Sequence, residues 1–380
     1  MYTSQEVMEY VKQEDVKFIR LAFCDVFGNQ KNISIMPSQL YNAFERGIAF
    51  EASAIKGFGD GGEVSLLLFP DPDTLSVLPW RPTHGRVIRL YCDIKYLDGR
   101  PFPLDGRHIL KSAVKRARDE GVFYRFGGGL EFYLFKTDED GEPTDVPYDR
   151  AGYMDIAPED RGENVRREVC LTLEEMGILS EGSHHERGPG QHKIEIAART
   201  PLAAADDMTT FKSVVKTVAS RNGLFASFAP RPVIEENGNC FHIRVFAENM
   251  ENLEWFKAGI VKYLPYVCPI LNPQEESYIR INEMARYLKV NDGAGPAIDI
   301  YSPDPMANPY LAYALLLEMG VRGVKEHLEK DVQNTDVSGA KAAGDVLMPG
   351  TMGKAQELAR NCDIIKSVLP EKILGAYSLL

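Results

Sequence analysis

Four short stretches of this chain alternate apolar and polar residues with a period of two: GLEFYLF (129–135), HKIEIA (192–197), FHIRVF (241–246) and AIDIYS (297–302). Successive side chains of a strand point to opposite faces. One face therefore collects Leu130, Phe132, Ile194, Ile196, Ile243, Val245, Ile298 and Ile300. The other collects Glu131, Tyr133, Lys193, Glu195, His242, Arg244, Asp299 and Tyr301. An ordinary solvent-facing sheet would carry more Thr, Ser and Gln on its outer side. The pattern predicts a sheet backed by helices, whose open face is a polar basin. Helices follow from a period near 3.6 in HILKSAVKRARDEG, ENVRREVCLTLEEMG, DMTTFKSVVKTVASRNG, LEWFKAGIVKYLP and NPYLAYALLLEMG. In the last, Asn308 is placed to cap the helix and Pro309 to open it.

The first ninety-odd residues have a different rhythm. SQEVMEYVKQ reads as a helix, VKFIRLAF and KNISIM as strands about the turn DVFGN, and SLLLFPDPDT and RVIRLYCDI as further extended segments. Short strands around tight turns predict a small α+β unit. The Gly- and Pro-rich YLDGRPFPLDG marks a boundary, giving two parts, 1–97 and 98–380.

Composition narrows the function without naming it. A net charge of −12 over 380 residues argues against a nucleic-acid partner, which needs a basic surface. No apolar run approaches the length of a membrane span. The six cysteines form no CxxC pair, so they are expected as reduced, mostly buried thiols. Together with an N-terminus too charged for a signal peptide, this places the protein in the cytoplasm. The chemistry concentrates in SHHERGPGQHKIEIA (183–197), where histidines and a glutamate precede a Gly-Pro-Gly turn. Lys193 is the odd member of a set otherwise suited to a metal or an acidic ligand. Gly127, Gly128 and Gly129 lack the strand–loop–helix context and the Lys-Ser/Thr of a phosphate-binding loop.

In order along the chain, FEASAIKGF, FPDPDTLSVLPW, GGGLEFYLF, SHHERGPGQHKIEI, NGNCFHIRVF, SYIRI and PDPMANPYLAYALLLEMG resemble motifs of the glutamine synthetase family. The resemblance runs nearly end to end. It implies an α+β fold, with a small N-terminal β-grasp domain and a large domain whose antiparallel sheet has a polar concave face. It also implies ATP-dependent phosphorylation of a glutamate γ-carboxylate followed by attack of ammonia, with two divalent cations holding the phosphates. The site would lie near a subunit interface of a homo-oligomer.

Carried over by residue, the resemblance puts the first metal on Glu131, Glu186 and the position of Lys193. It puts the second on the position of Gly129, on His242 and on Asp299. Glu51 matches an acidic ammonium-site residue, Asn237 and Gly238 match glutamate-seating residues, and Arg280 matches a phosphate- or substrate-side arginine. Glu283 and Arg286 are flap candidates in a segment much shorter than the family's. The chain also stops at AYSLL, short of a helical tail that locks stacked rings in some members. A lysine facing a metal site repels the cation. Lys193 and Arg244 are placed instead to neutralise the remaining acids. The expectation is a relative with an altered site, binding a glutamate-like ligand with little or no glutamine synthesis and needing no cofactor. The alternative is a Mg2+- or Mn2+- and ATP-dependent ligase that joins a γ-carboxylate to ammonia or another amine.

Overall fold

The computed structural model describes residues 2–59, 64–81, 84–248, 250–284, 287–291, 297–328 and 348–380. Helix α1 (Ser4–Gln13) is held at its start by a reciprocal capping box between Thr3 and Glu6. It is followed by β1 (Val16–Cys24), β2 (Gln30–Ile35), α2 (Leu40–Arg46), β3 (Ile48–Glu51), β4 (Ser65–Pro70), β5 (Ser76–Val77) and β6 (Arg86–Lys95). These strands form one sheet in the order β2-β1-β6-β4-β3, with β5 also on β6. The central pair β1–β6 is parallel and the others are antiparallel.

The strands of the second sheet are β7 (Tyr124–Thr137), β8 (Pro143–Pro147), β9 (Ser180–His185), β10 (Gln191–Arg199), β11 (Leu224–Ser227), β12 (Phe241–Ala247), β13 (Leu288–Asn291) and β14 (Ala297–Ile300). They run antiparallel in the order β13-β14-β12-β7-β10-β9, with β8 and β11 also on β7. The four predicted strands are all present and occupy its middle. The eight residues assigned to the apolar face are each at most 1% exposed, against a helical layer. That layer contains α3 (Gly106–Asp119), α4 (Glu163–Glu175), α5 (Pro201–Arg221), α6 (Met250–Leu271) and α8 (Pro309–Lys325), while α7 (Glu276–Glu283) packs in a small separate cluster with Cys268 and Ala355. Shorter helices α9 (Met352–Arg360), α10 (Asp363–Val368) and α11 (Glu371–Ala376) close the fold.

Several boundaries differ from the periodic reading. α5 begins at Pro201 rather than near Asp207, because the Ala-rich turn before Asp207 is a good helix former behind a proline at the first position. α6 runs through Pro265 and Pro269, both buried. Packing against the rest of the helical layer overrides the local cost of proline there. β9, whose sequence SEGSHH carries no apolar alternation, is an edge strand paired only through its backbone with β10. β13 falls in the segment read as a shortened flap and pairs with β14. Arg286 of that segment lies outside the described residues. The cap on α8 is as expected, with Asn308 Oδ1 accepting from the N–H of Tyr310 at 3.0 Å.

The two sheets are joined by polar stitches. Asn308 Nδ2 donates to the carbonyl of Val26 (3.0 Å). Asp105, the cap of α3, accepts from the N–H groups of Arg107 and, on β6, Ile94. Arg107 is buried among Asp71, Asp93 and Asp206. All six cysteines are free thiols, five of them buried. Among the described residues, no helix is long and apolar enough to cross a membrane.

Candidate ligand basin

The open face of the second sheet forms the floor of a cavity of about 720 Å³. The register sets its chemistry. On β10, Lys193 stands opposite Glu131 of β7, and Glu195 stands opposite Gly129. From the other side, His242 of β12 also stands opposite Gly129, and Arg244 stands opposite Asp299 of β14. Gly129 therefore puts no side chain between Glu195 and His242, and the two meet across it.

The result is an unbroken chain of charged and polar groups. Lys193 Nζ lies 3.0 Å from Glu195 Oε1. The same oxygen is 3.1 Å from His242 Nδ1, and His242 Nε2 is 2.9 Å from Asp299 Oδ1. Arg244 Nε donates to Asp299 Oδ1 at 2.6 Å. The imidazole stacks on Tyr301, its ring centroid 4.8 Å away. The hydrogen bond from His242, reinforced by Lys193, holds Glu195 well below the usual carboxylate range against its burial. Burial opposes ionisation of Asp299 as well, but His242 and Arg244 bring it down to about 2. Burial would weaken the Lys193 ammonium, yet Glu195 and Glu131 raise its pKa. Lys193 and Arg244 both keep their protons beside the acids that surround them.

Glu131 behaves differently. Burial, then the neighbouring Glu186, push it up to about 8, although it accepts hydrogen bonds from the N–H of Cys240 (2.9 Å) and from Gln191 Nε2 (3.4 Å). Gln191 also donates to the carbonyl of Gly238 and to Asn239 Oδ1, so it ties the floor to the loop bearing Asn237 and Gly238. Glu186 is held by His184 Nε2 at 2.9 Å.

Of the residues singled out from the sequence, Glu131, Glu186, Lys193, Asn237, Gly238, Arg280 and Glu283 line one cavity. His242 and Asp299 sit beside it in the buried row of the sheet. Glu51 does not line the cavity of its own chain. Its carboxylate caps the following turn, accepting from Ser53 and from the N–H of Val64. Arg280 is buried, with Nη1 on the carbonyl of Tyr301 (3.0 Å) and Nη2 on Asn272 Oδ1 (3.0 Å) and the carbonyl of Ser302. Its terminal nitrogens brace the wall rather than point outward. Glu283 pairs with Arg231. The sequence reading passed over Tyr153, Arg187, Cys240 and Lys289, which also line the cavity. Arg187 follows Glu186 directly and was legible there, whereas Lys289 needed β13.

Two glycines in β7 are fixed by this packing. Gly128 has φ +109°, and a Cβ there would lie 2.2 Å from the carbonyl oxygen of His242. A Cβ on Gly129 would lie 2.3 Å from the carbonyl oxygen of Ile194. Neither position admits a side chain without moving the ladder.

Beneath the floor, Asp149, His185 and His192 bring three potential ligand atoms within 4.8 Å of one another. Arg166 Nη1 lies 2.9 Å from His192 Nδ1. A guanidinium only donates, so Nδ1 must accept and the proton sits on Nε2. That nitrogen is then unable to bind a cation. Asp149 Oδ1 is itself taken by His185 and by the N–H groups of Ala151 and Gly190. The trio is a hydrogen-bonded support for the Gly-Pro-Gly turn.

A mixed six-stranded sheet joined to an antiparallel sheet with a polar concave face defines a class of two-domain α+β proteins. Residues 15–96 match the family described as "Glutamine synthetase, beta-Grasp domain", and residues 103–380 match "Glutamine synthetase, catalytic domain". The chain is 36% identical to the glutamine synthetase of Clostridium saccharobutylicum, covering 99% of this chain and 93% of that protein. It is 34% identical to that of Methanosarcina mazei, covering 99% and 92%. The ligand-free structure of GmaS superposes with a TM-score of 0.87 at 24% identity, covering 98% of this chain and 94% of that one. A Plasmodium falciparum glutamine synthetase structure superposes at 0.86 and 18% identity, covering 99% and 94%. The chain belongs to the glutamine synthetase family, as its motifs predict.

Proposed function

We propose that this protein is a glutamine synthetase relative whose basin binds a small, glutamate-like ligand without metal-assisted phosphoryl transfer. The reading rests on one observation: the chain Lys193–Glu195–His242–Asp299–Arg244 satisfies its own charges. Two divalent cations do not fit the residues present. On the first set, an ammonium stands where the third carboxylate would be, opposite Glu131. On the second, Gly129 offers no side chain and has no room for one. Both nitrogens of His242 face carboxylates, and Asp299 is held by His242 and Arg244. Buried carboxylates need counter-charge, and here side chains supply it. Without a ligand set to hold such cations, nothing in the basin would offset the charge of ATP's phosphates. The Asn237–Gly238 loop, Gln191 and the open cations Arg187 and Lys289 would receive the ligand.

One observation favours the second reading, a γ-glutamyl ligase using Mg2+ or Mn2+ with ATP. Glu131 and Glu186 lie side by side on the cavity, and among the described residues neither has a lysine or arginine within ion-pair distance, Glu186 meeting only the imidazole of His184. Thermal unfolding in Mg·ATP and Mn·ATP, against ATP with chelator and against glutamate alone, separates the two. A ligand at about a hundred times its Kd adds roughly 2.7 kcal/mol to the folded state. We expect stabilisation by glutamate or a similar amino dicarboxylate that chelator leaves unchanged. A metal-dependent rise with ATP, with phosphate released on adding an amine, would replace the first reading by the second.

A further inference from the structure

A second cavity, of about 650 Å³, lies between the two sheets, away from the basin. β6 contributes Arg89 to its wall, α3 contributes Lys115 and Arg118, and the start of α5 contributes Thr200 to Ala203. Arg89 is 7% exposed. Its Nη1 donates to Thr210 Oγ1 (2.6 Å) and Tyr91 OH (3.3 Å), and its guanidinium lies over the Tyr91 ring. Its Nε has no partner. Among the described residues no carboxylate lies within ion-pair distance of it. A buried guanidinium with an unused donor and no carboxylate in direct contact is costly unless something else completes it.

The start of α5 presents matching donors. Thr200 makes no side-chain cap, Pro201 holds the first helical position, and the intrahelical ladder begins with the N–H of Ala204 on the carbonyl of Thr200. The N–H groups of Leu202 and Ala203 have no acceptor among the described residues, at the positive end of a helix of 21 residues. The carboxylates of the same wall are mostly engaged. Asp71 and Asp206 hold Arg107, Asp207 holds Arg199, and Asp73 accepts from the N–H of Tyr2. Asp119 is the one left at the rim.

We propose that this cavity binds the oxyanion group of a small anion, a phosphate or a carboxylate. Arg89 and the N–H groups of Leu202 and Ala203 hold the oxyanion, and Lys115 and Arg118 attract it at the mouth. Because the cavity is walled by β6 on one side and α5 on the other, the bound anion ties the N-terminal sheet to the catalytic-type domain. The site is independent of the basin.

The test is thermal unfolding and calorimetric titration of the full chain with inorganic phosphate and, separately, succinate, against sodium chloride at equal ionic strength. The expected result is saturable stabilisation by at least one of the two anions. Which one responds separates a phosphate from a carboxylate source. Arg89→Met should weaken binding at least tenfold. Because Arg89 is buried, the exposed double variant Lys115→Glu/Arg118→Glu provides a check that does not disturb the core, and it should also weaken binding at least tenfold. Chloride matching both anions, or a rim variant that binds within twofold of the parent, would overturn the proposal.

Discussion

At the scale of single residues, the basin turns on Lys193 and Gly129. Lys193 is largely covered and gives its charge to Glu195. Replacing it with Met leaves that carboxylate to His242 alone, and the expected cost is about 1–3 kcal/mol by urea denaturation. An unchanged midpoint would mean the pair contributes nothing. Gly129 sets a harder limit. The family's pattern puts a glutamate at this position, yet its Cβ would meet the carbonyl of Ile194. Gly129→Glu should therefore destabilise the fold by several kcal/mol and gain no Mn2+ affinity, read by denaturation and by calorimetry of the same sample. Lys193→Glu alone adds a carboxylate beside Glu131, which is already pushed toward its neutral form. It should also leave Mn2+ binding weak. The identity of these residues was legible in the sequence. So was the use of Lys193 and Arg244 to neutralise acids, but which acid each meets was not, because Glu195 reaches His242 only where the intervening strand has no side chain.

At the scale of elements, capping residues do two jobs each. Asn308 starts α8 and also bonds to Val26 in the N-terminal part. Asn308→Ala should cost about 2 kcal/mol or more, since a lost cap alone costs roughly 1. Asn308→Asp keeps the cap acceptor and loses the donor to Val26, so it should fall between the parent and the alanine variant. Equal losses for both variants would place all the energy in the inter-sheet bond.

Asp105 gives a pH signature. Burial, then the nearby charge of Asp93, raise it to about 7 from an ordinary 3.8. A carboxyl raised in the folded state contributes stability that is present below pH 4 and is lost as the pH climbs to about 7. The difference in unfolding free energy between the parent and Asp105→Asn should therefore shrink over that window. A flat difference would show Asp105 ionised throughout. Strands with clean alternation and helices with a clear period were readable from the chain. β9, β8, β11 and β13 were not, because backbone pairing to an existing sheet edge asks little of the side chains.

At the scale of the whole molecule, the family was readable from ordered motifs, and the fold follows from it. What the chain does with the fold depends on how charges are distributed in three dimensions. The Glu51 loop does not line the basin of its own chain. A role for Glu51 in catalysis or ligand binding therefore requires a second copy. Light scattering coupled to size exclusion should report a multiple of the 42.5 kDa chain mass. Glu51→Ala should then change ligand affinity without changing that mass. A monomer that still binds the ligand with full affinity would remove Glu51 from the site.

The bare stretch of β7 also bears on selection. A single ligand residue is usually one codon change from being gained. Here Glu195 and His242 meet across Gly129, and Lys193 and Arg244 satisfy the neighbouring acids. Each single change toward a set of carboxylates is therefore uphill, so selection on this scaffold would more readily refine the side-chain network it holds than build another.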